Sequence, residues 1–216
     1  MMKDLLSRSI SALIILPFSL FFILKGGYFF ISFLIICLTL SLIEWNNMIK
    51  NKTLNILGNL FIFFSFFSTY QIRFNSENDQ NLIFFLMILL VCVSTDIGGY
   101  CFGKIFKGPK LTKISPNKTY AGVVGGFLSS LILIYLISIY LEFYKFNLEL
   151  ISYILFISLI SQIGDLIVSY FKRLSNIKDT GKLIPGHGGI LDRIDGMIFV
   201  FPIIFISSKQ NHIECF

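Results

Sequence analysis

Residues 150–174 read LISYILFISLISQIGDLIVSYFKRL. An apolar run of this length exceeds the roughly 20 residues that a helix needs to cross the hydrocarbon core of a bilayer. Asp165 stands well inside it, and an ionisable residue at membrane depth costs at least roughly a few kcal/mol unless it has a partner. Ser161, Asp165, Ser169 and Lys172 follow one another at helical spacing, so they form one polar stripe on an otherwise apolar helix. The stripe has two readings. Asp165 pairs with Lys172 or a neighbouring helix and only holds a bundle together, or it lines a polar site.

The next segment favours the second reading. Residues 176–196 read NIKDTGKLIPGHGGILDRIDG. Asp192 and Asp195 are three apart and share a face if the last helix begins there. Two carboxylates on one helix and a third buried on its neighbour make an oxygen-rich pocket suited to magnesium, which completes its shell with water and substrate phosphate. Lys172, Arg173, Lys178, Lys182 and Arg193 surround these acids. Acids that hold a metal and bases that neutralise phosphates are the parts phosphoryl chemistry requires. In Pro185-Gly186-His187-Gly188-Gly189 the glycines let backbone N–H groups approach an anion. His187 fits a phosphate hydrogen-bond donor or a loop-fixing group better than a base, because a phosphate nucleophile is already ionised at neutral pH.

A second polar stretch precedes this one: TDIGGYCFGKIFKGPKLTKISPNKTYAGVVGG, residues 95–126. It is expected to be a basic loop from Asp96 to a helix start at Gly122. Such a loop suits anionic lipid headgroups. Ser115, Lys118 and Thr119, placed before a helix, equally suit a phosphate. It is not a Walker A loop, because no GxxxxGK[ST] occurs.

The rest of the chain sets the context. Of 216 residues, 55% are hydrophobic and 14% charged, with a mean hydropathy of +0.80. Soluble domains carry about 25% charged residues, so a water-soluble fold is excluded and a lipid bilayer is the expected surrounding. Seven apolar runs are expected, near 9–24, 28–43, 54–70, 82–95, 122–144, 150–171 and 192–208. The fold class is therefore all-α: a polytopic transmembrane helical bundle of about seven helices in a single integral membrane domain over 1–216. The first run follows Lys3 and Arg8 but lacks a small-x-small cleavage site, so a retained helix is expected.

With the N-terminus in the cytoplasm, only Lys25, Arg73, Lys145 and Lys209 among the basic residues fall on the outer face. The loops near 96–120 and 172–191 then face the cytoplasm, where nucleotide triphosphates are found. Topology explains the net charge of +6, and no nucleic-acid partner is inferred. The cysteines Cys37, Cys92, Cys101 and Cys215 have neither disulfide-framework nor zinc spacing. Glu44 and Trp45 end the second run, where Trp is ordinary at a membrane–water boundary.

From Ser169 to Asp195 the chain resembles the hallmark motif of the phosphatidate cytidylyltransferases: S-x-x-K-R, four residues, K-D-x-G, then P-G-H-G-G, two residues and D-R-x-D. Ser169, Lys172, Arg173, Lys178, Asp179, Gly181, Pro185 through Gly189, Asp192, Arg193 and Asp195 stand at the required places. Asp165, after Gly164, matches the family's membrane aspartate, and SPNKTYAG resembles its second conserved region. There Ala121 replaces the family's acid.

The resemblance covers about residues 90–200. It implies an enzyme of the bacterial-type inner membrane that converts phosphatidate and CTP into CDP-diacylglycerol and pyrophosphate with magnesium. The catalytic region would be 82–208, behind N-terminal apolar helices in 1–81. Asp165, Asp192 and Asp195 would hold the metal. Lys172 with Arg173, Lys178 and Arg193 would balance phosphate charge. Ser115, Lys118 and Thr119 would close over the triphosphate. Ser169, Asp179, His187, Gly188 and Gly189 would complete the substrate contacts, and a homodimer is compatible with all of this. Two alternatives remain at this stage: a related lipid nucleotidyl- or phosphotransferase, and an ion-coupled transporter using Asp96 and Asp165.

Overall fold

The computed structural model describes residues 17–74, 79–112, 115–141, 146–181 and 188–211. Among them every regular element is helical, apart from an isolated bridge between Lys110 and Thr119. The helices are α1 (residues 17–25), α2 (Gly27–Met48), α3 (Lys52–Phe74), α4 (Asp79–Phe106), α5 (Tyr120–Leu141), α6 (Leu148–Leu174), α7 (Leu191–Ile194) and α8 (Met197–Asn211). Five of them, α2 to α6, are long and apolar enough to cross a membrane. Their Phe, Ile and Leu side chains are widely exposed, among them Phe29, Ile35, Leu60, Ile132 and Leu159. In water that surface would be costly; against lipid tails it is not. The protein is a multi-pass membrane protein.

The expected count of about seven spans is therefore not reached among the described residues. The first run starts outside them. The last run is broken: α7 ends at Asp195, and α8 is a shorter apolar helix carrying Pro202, which cannot donate a backbone hydrogen bond.

The chain divides into two compact units, Met1–Gln71 with Phe171–Asp195, and Ile72–Tyr170 with Gly196–Phe216. In the first, α2 and α3 are joined by the short connection 49–51 and meet beside it, where Asn59 Nδ2 donates to Asn46 Oδ1 at 2.8 Å. Asn51 Oδ1 accepts from the amides of Thr53 and Leu54 and so caps α3, while Asn55 Nδ2 donates to the Ile49 carbonyl. Trp45 is buried. Its ring meets Phe171 edge-on at 5.1 Å and lies where a side chain at Gly58 would stand.

In the second unit, α4 and α5 come close because their facing positions are glycine. A Cβ at Gly122 would stand 2.7 Å from the Gly99 carbonyl oxygen, and one at Gly98 or Gly125 would overlap Ser129 or Phe102. This corrects the reading of residues 96–106 as loop. They continue α4 to Phe106, and their glycines serve helix packing rather than a ligand. Helix α5 begins at Tyr120, two residues before the expected Gly122. Thr95 Oγ1 donates to Ser158 Oγ at 2.9 Å, and Phe85 stacks on Phe201 at 5.3 Å.

Candidate active site

In the first unit, residues 171–181 and 188–195 fold around Asp192. Lys172, in the last turn of α6, donates to Asp192 Oδ1 at 2.9 Å and lies 4.0 Å from Asp195 Oδ2. The other oxygen, Oδ2, accepts from the backbone amides of Thr180 (2.8 Å) and Gly189 (3.0 Å) and lies 3.1 Å from the Thr180 hydroxyl. Burial pushes the Asp192 carboxyl up, but the Lys172 ammonium and the Gly189 and Thr180 amides outweigh it and hold the group below its ordinary 3.8. The expected pairing of Asp192 with Asp195 on one face is present, because Asp195 keeps helical backbone angles at the end of α7.

The glycines of this segment have a local use. Gly188 has φ +84, a conformation that favours glycine, and a Cβ there would stand 2.6 Å from Asp192 Oδ2. The Gly189 N–H is aimed at Asp192, and the following Ile190 and Leu191 N–H groups at Glu44, so the anions these amides meet are the protein's own carboxylates. The motif residues Lys182, Pro185, Gly186 and His187 lie outside the described residues. Arg173, Lys178, Asp179 and Arg193 are exposed, and Arg173 donates to the Ile177 carbonyl at 3.1 Å.

One participant was not singled out in the sequence. Glu44, 4% exposed on α2, accepts from the amides of Ile190 (Oε1) and Leu191 (Oε2), both at 2.9 Å, and from the Thr180 hydroxyl at 2.8 Å. A Cβ at Gly181 would stand 2.7 Å from Glu44 Oε1, and one at Gly189 would overlap Oε2. A signal was available, since an acid embedded in the apolar run SLIEW needs partners as much as Asp165 does.

The second unit holds the other polar cluster. The loop between α4 and α5 folds back on itself: Leu111 N donates to the Lys118 carbonyl (2.8 Å), and Lys118 N to that of Ser115 (3.0 Å). This turn carries Lys118 into an ion pair with Asp165, whose Oδ1 also accepts from Ser169 Oγ at 3.3 Å. Asp165 is half-buried rather than buried, and the partner it takes is Lys118. Thr119 is the N-cap of α5, its Oγ1 accepting from the Gly122 amide at 3.1 Å. Ser115 accompanies Lys118 in the turn.

For a divalent cation, the described residues contain no group of three His, Cys, Asp or Glu side chains. Asp192 and Asp195 still suit magnesium, which binds through one or two carboxylates plus substrate phosphates. Both are hard oxygen donors, and one cationic group, the Lys172 ammonium, already lies near both.

A family model described as "Cytidylyltransferase family" matches residues 59–209, which include every charged group around Asp192 and Asp165 except Glu44. The chain belongs to the cytidylyltransferase family. Among its relatives is the phosphatidate cytidylyltransferase of Rickettsia conorii, 36% identical over 206 residues, covering 92% of this chain and 89% of that protein. That of Rickettsia bellii is 35% identical over 210 residues, covering 94% and 90%. That of Staphylococcus aureus is 40% identical over 139 residues, covering 64% of this chain and 54% of its own length. Within this cytidylyltransferase, the Lys172 ammonium and the Thr180 and Gly189 amides surround Asp192.

Proposed function

We propose that this protein transfers CMP from CTP to phosphatidate, giving CDP-diacylglycerol and pyrophosphate for phospholipid synthesis. The observation that carries the reading is the Lys172–Asp192 pair, built into a motif of basic residues and glycines in a cytidylyltransferase-family membrane protein. The relatives named phosphatidate cytidylyltransferase support CTP as donor and phosphatidate as acceptor.

An oxygen of the phosphatidate phosphate attacks the α-phosphorus of CTP. The bond to the β-phosphate breaks, and pyrophosphate leaves with the electron pair. The nucleophile is ionised at neutral pH, so no side chain need act as base. Lys172 is held rigidly by Asp192 and offers its remaining N–H groups to phosphate oxygens. Arg173, Lys178 and Arg193, all exposed, balance charge on the incoming and departing groups. Lys118, presented with Ser115 and Thr119 by its turn, binds phosphate in the same reading.

Asp192 and Asp195 would hold magnesium, which supplies charge neutralisation of the phosphates. Asp165 is proposed as a further ligand on its place in the sequence motif alone. The basic loops face the cytoplasm in this proposal, where CTP is found. The test is turnover by purified, detergent-solubilised protein given phosphatidate and radiolabelled CTP, with and without magnesium. Magnesium-dependent CDP-diacylglycerol and pyrophosphate support it; folded protein that forms neither overturns it.

A further inference from the structure

We infer that Glu44 is a positioning residue, which sets the geometry of Asp192 through Thr180 and the start of α7. It stands on α2, ahead of residues 59–209 that the family model matches. The inference rests on the proposed reaction at Asp192 and Lys172.

A buried carboxylate on an apolar helix is costly to keep unless its lone pairs are filled. A helix joint alone would be made more cheaply by apolar contact. Glu44 is filled by three donors: the amides of Ile190 and Leu191 and the hydroxyl of Thr180. Each is also tied to the Asp192 environment. Thr180 gives its own amide to Asp192 Oδ2 at 2.8 Å, and its hydroxyl lies between Glu44 Oε2 and Asp192 Oδ2. Ile190 and Leu191 are the two residues before Asp192 and fix where its backbone starts. Gly189, whose amide is the third donor to Asp192, has no room for a side chain because Glu44 and Thr180 fill that space.

The three donors to Glu44 are neutral groups with directional N–H and O–H bonds. They specify position without neutralising charge. Moving Glu44 releases Thr180 and the 189–191 backbone together, and Asp192 loses the fixed orientation that holds Lys172.

The experiment compares Glu44→Gln, Glu44→Ala, Thr180→Val and Glu44→Gln/Thr180→Val with wild type. It reads kcat, KM for CTP and melting temperature in detergent, and amide hydrogen exchange over residues 179–181 and 188–192. Groups that orient another group typically cost about 10- to 100-fold when removed. Glu44→Gln keeps one acceptor oxygen, so it should lower kcat by about 10-fold and Glu44→Ala by about 100-fold. KM should change by less than roughly threefold, and exchange at Thr180 and Gly189 should quicken. The double variant should be no worse than its worse single, because both act along one path.

Wild-type kcat in Glu44→Gln, losses that multiply in the double variant, or losses explained by protein already unfolded at the assay temperature would overturn the inference. An inactive wild type would overturn the proposed reaction instead. The exchange measurement then still decides the coupling: unchanged protection at Thr180 and Gly189 in Glu44→Gln refutes it.

Discussion

Replacing Asp192 by asparagine changes one atom and should separate stability from turnover. Two amides, those of Thr180 and Gly189, donate to Oδ2, and the Lys172 ammonium donates to Oδ1. The amide therefore keeps its carbonyl oxygen toward Thr180 and Gly189, which puts its NH2 group where Oδ1 met the ammonium at 2.9 Å. Donor then faces donor. The loss is one charge-assisted hydrogen bond, worth about 1.5–3 kcal/mol. Solvent screens it little, since the two side chains are only 12% and 6% exposed. Asp195, 4.0 Å from Lys172, limits the damage.

The expected cost is therefore about 2 kcal/mol of stability, with the protein still folded and membrane-inserted. Turnover should fall far more, by about 10²- to 10³-fold, the usual cost of removing a preorganised electrostatic group. Thermal unfolding in detergent and radiolabelled-CTP turnover measure the two effects on one preparation. Near-normal turnover would sink the assignment of Asp192 to the site. A variant that cannot be purified folded would refute the argument that the Thr180 and Gly189 donors survive the change.

Further consequences can be checked alongside. Asp192 is held below its ordinary 3.8, so the stability it confers is complete above that value and lost only as pH falls through the lower folded value. The melting-temperature gap between wild type and Asp192→Asn should therefore stay constant from neutral pH to about pH 4 and narrow below it. Gly189→Ala would place a methyl group against Glu44 and Thr180, and should cost about 1–3 kcal/mol in thermal stability together with activity. Lys118→Ala and Asp165→Ala each break one ion pair. In a double-mutant cycle on melting temperature, the double variant should lose less than the sum of the singles, and strict additivity would refute a direct pair. Gly98→Leu should destabilise the α4–α5 contact strongly, read as a lower melting temperature, because Ser129 occupies the space.

Residues of one helix or one short loop could be read from the sequence, because their geometry follows from spacing. Asp192 and Asp195, three apart, meet one ammonium at the place their spacing implies, and the long apolar runs are helices. Where a reading needed the identity of a distant neighbour, it went astray. The glycines at 98, 99 and 103 were expected to line a loop, because a glycine-rich segment beside lysines carries the same letters whether it meets phosphate or another helix. Only the approach of α5, itself glycine-faced, decides between them. The final run was expected to be one helix, yet α7 and α8 part at Asp195–Gly196.

The sequence by itself thus determined a membrane-embedded, all-helical chain with a basic, aspartate-bearing motif, because hydropathy and local spacing are properties of the chain alone. The tertiary structure decided which partner each of these charges takes: Lys118 for Asp165, Lys172 for Asp192, and Thr180 with the 190–191 amides for Glu44. The reason is physical. A charge away from water must find donors or a counter-charge within hydrogen-bond reach, and for Glu44 those donors lie 136 and more residues along the chain. No local pattern records such a pairing, because it exists only once the helices have packed.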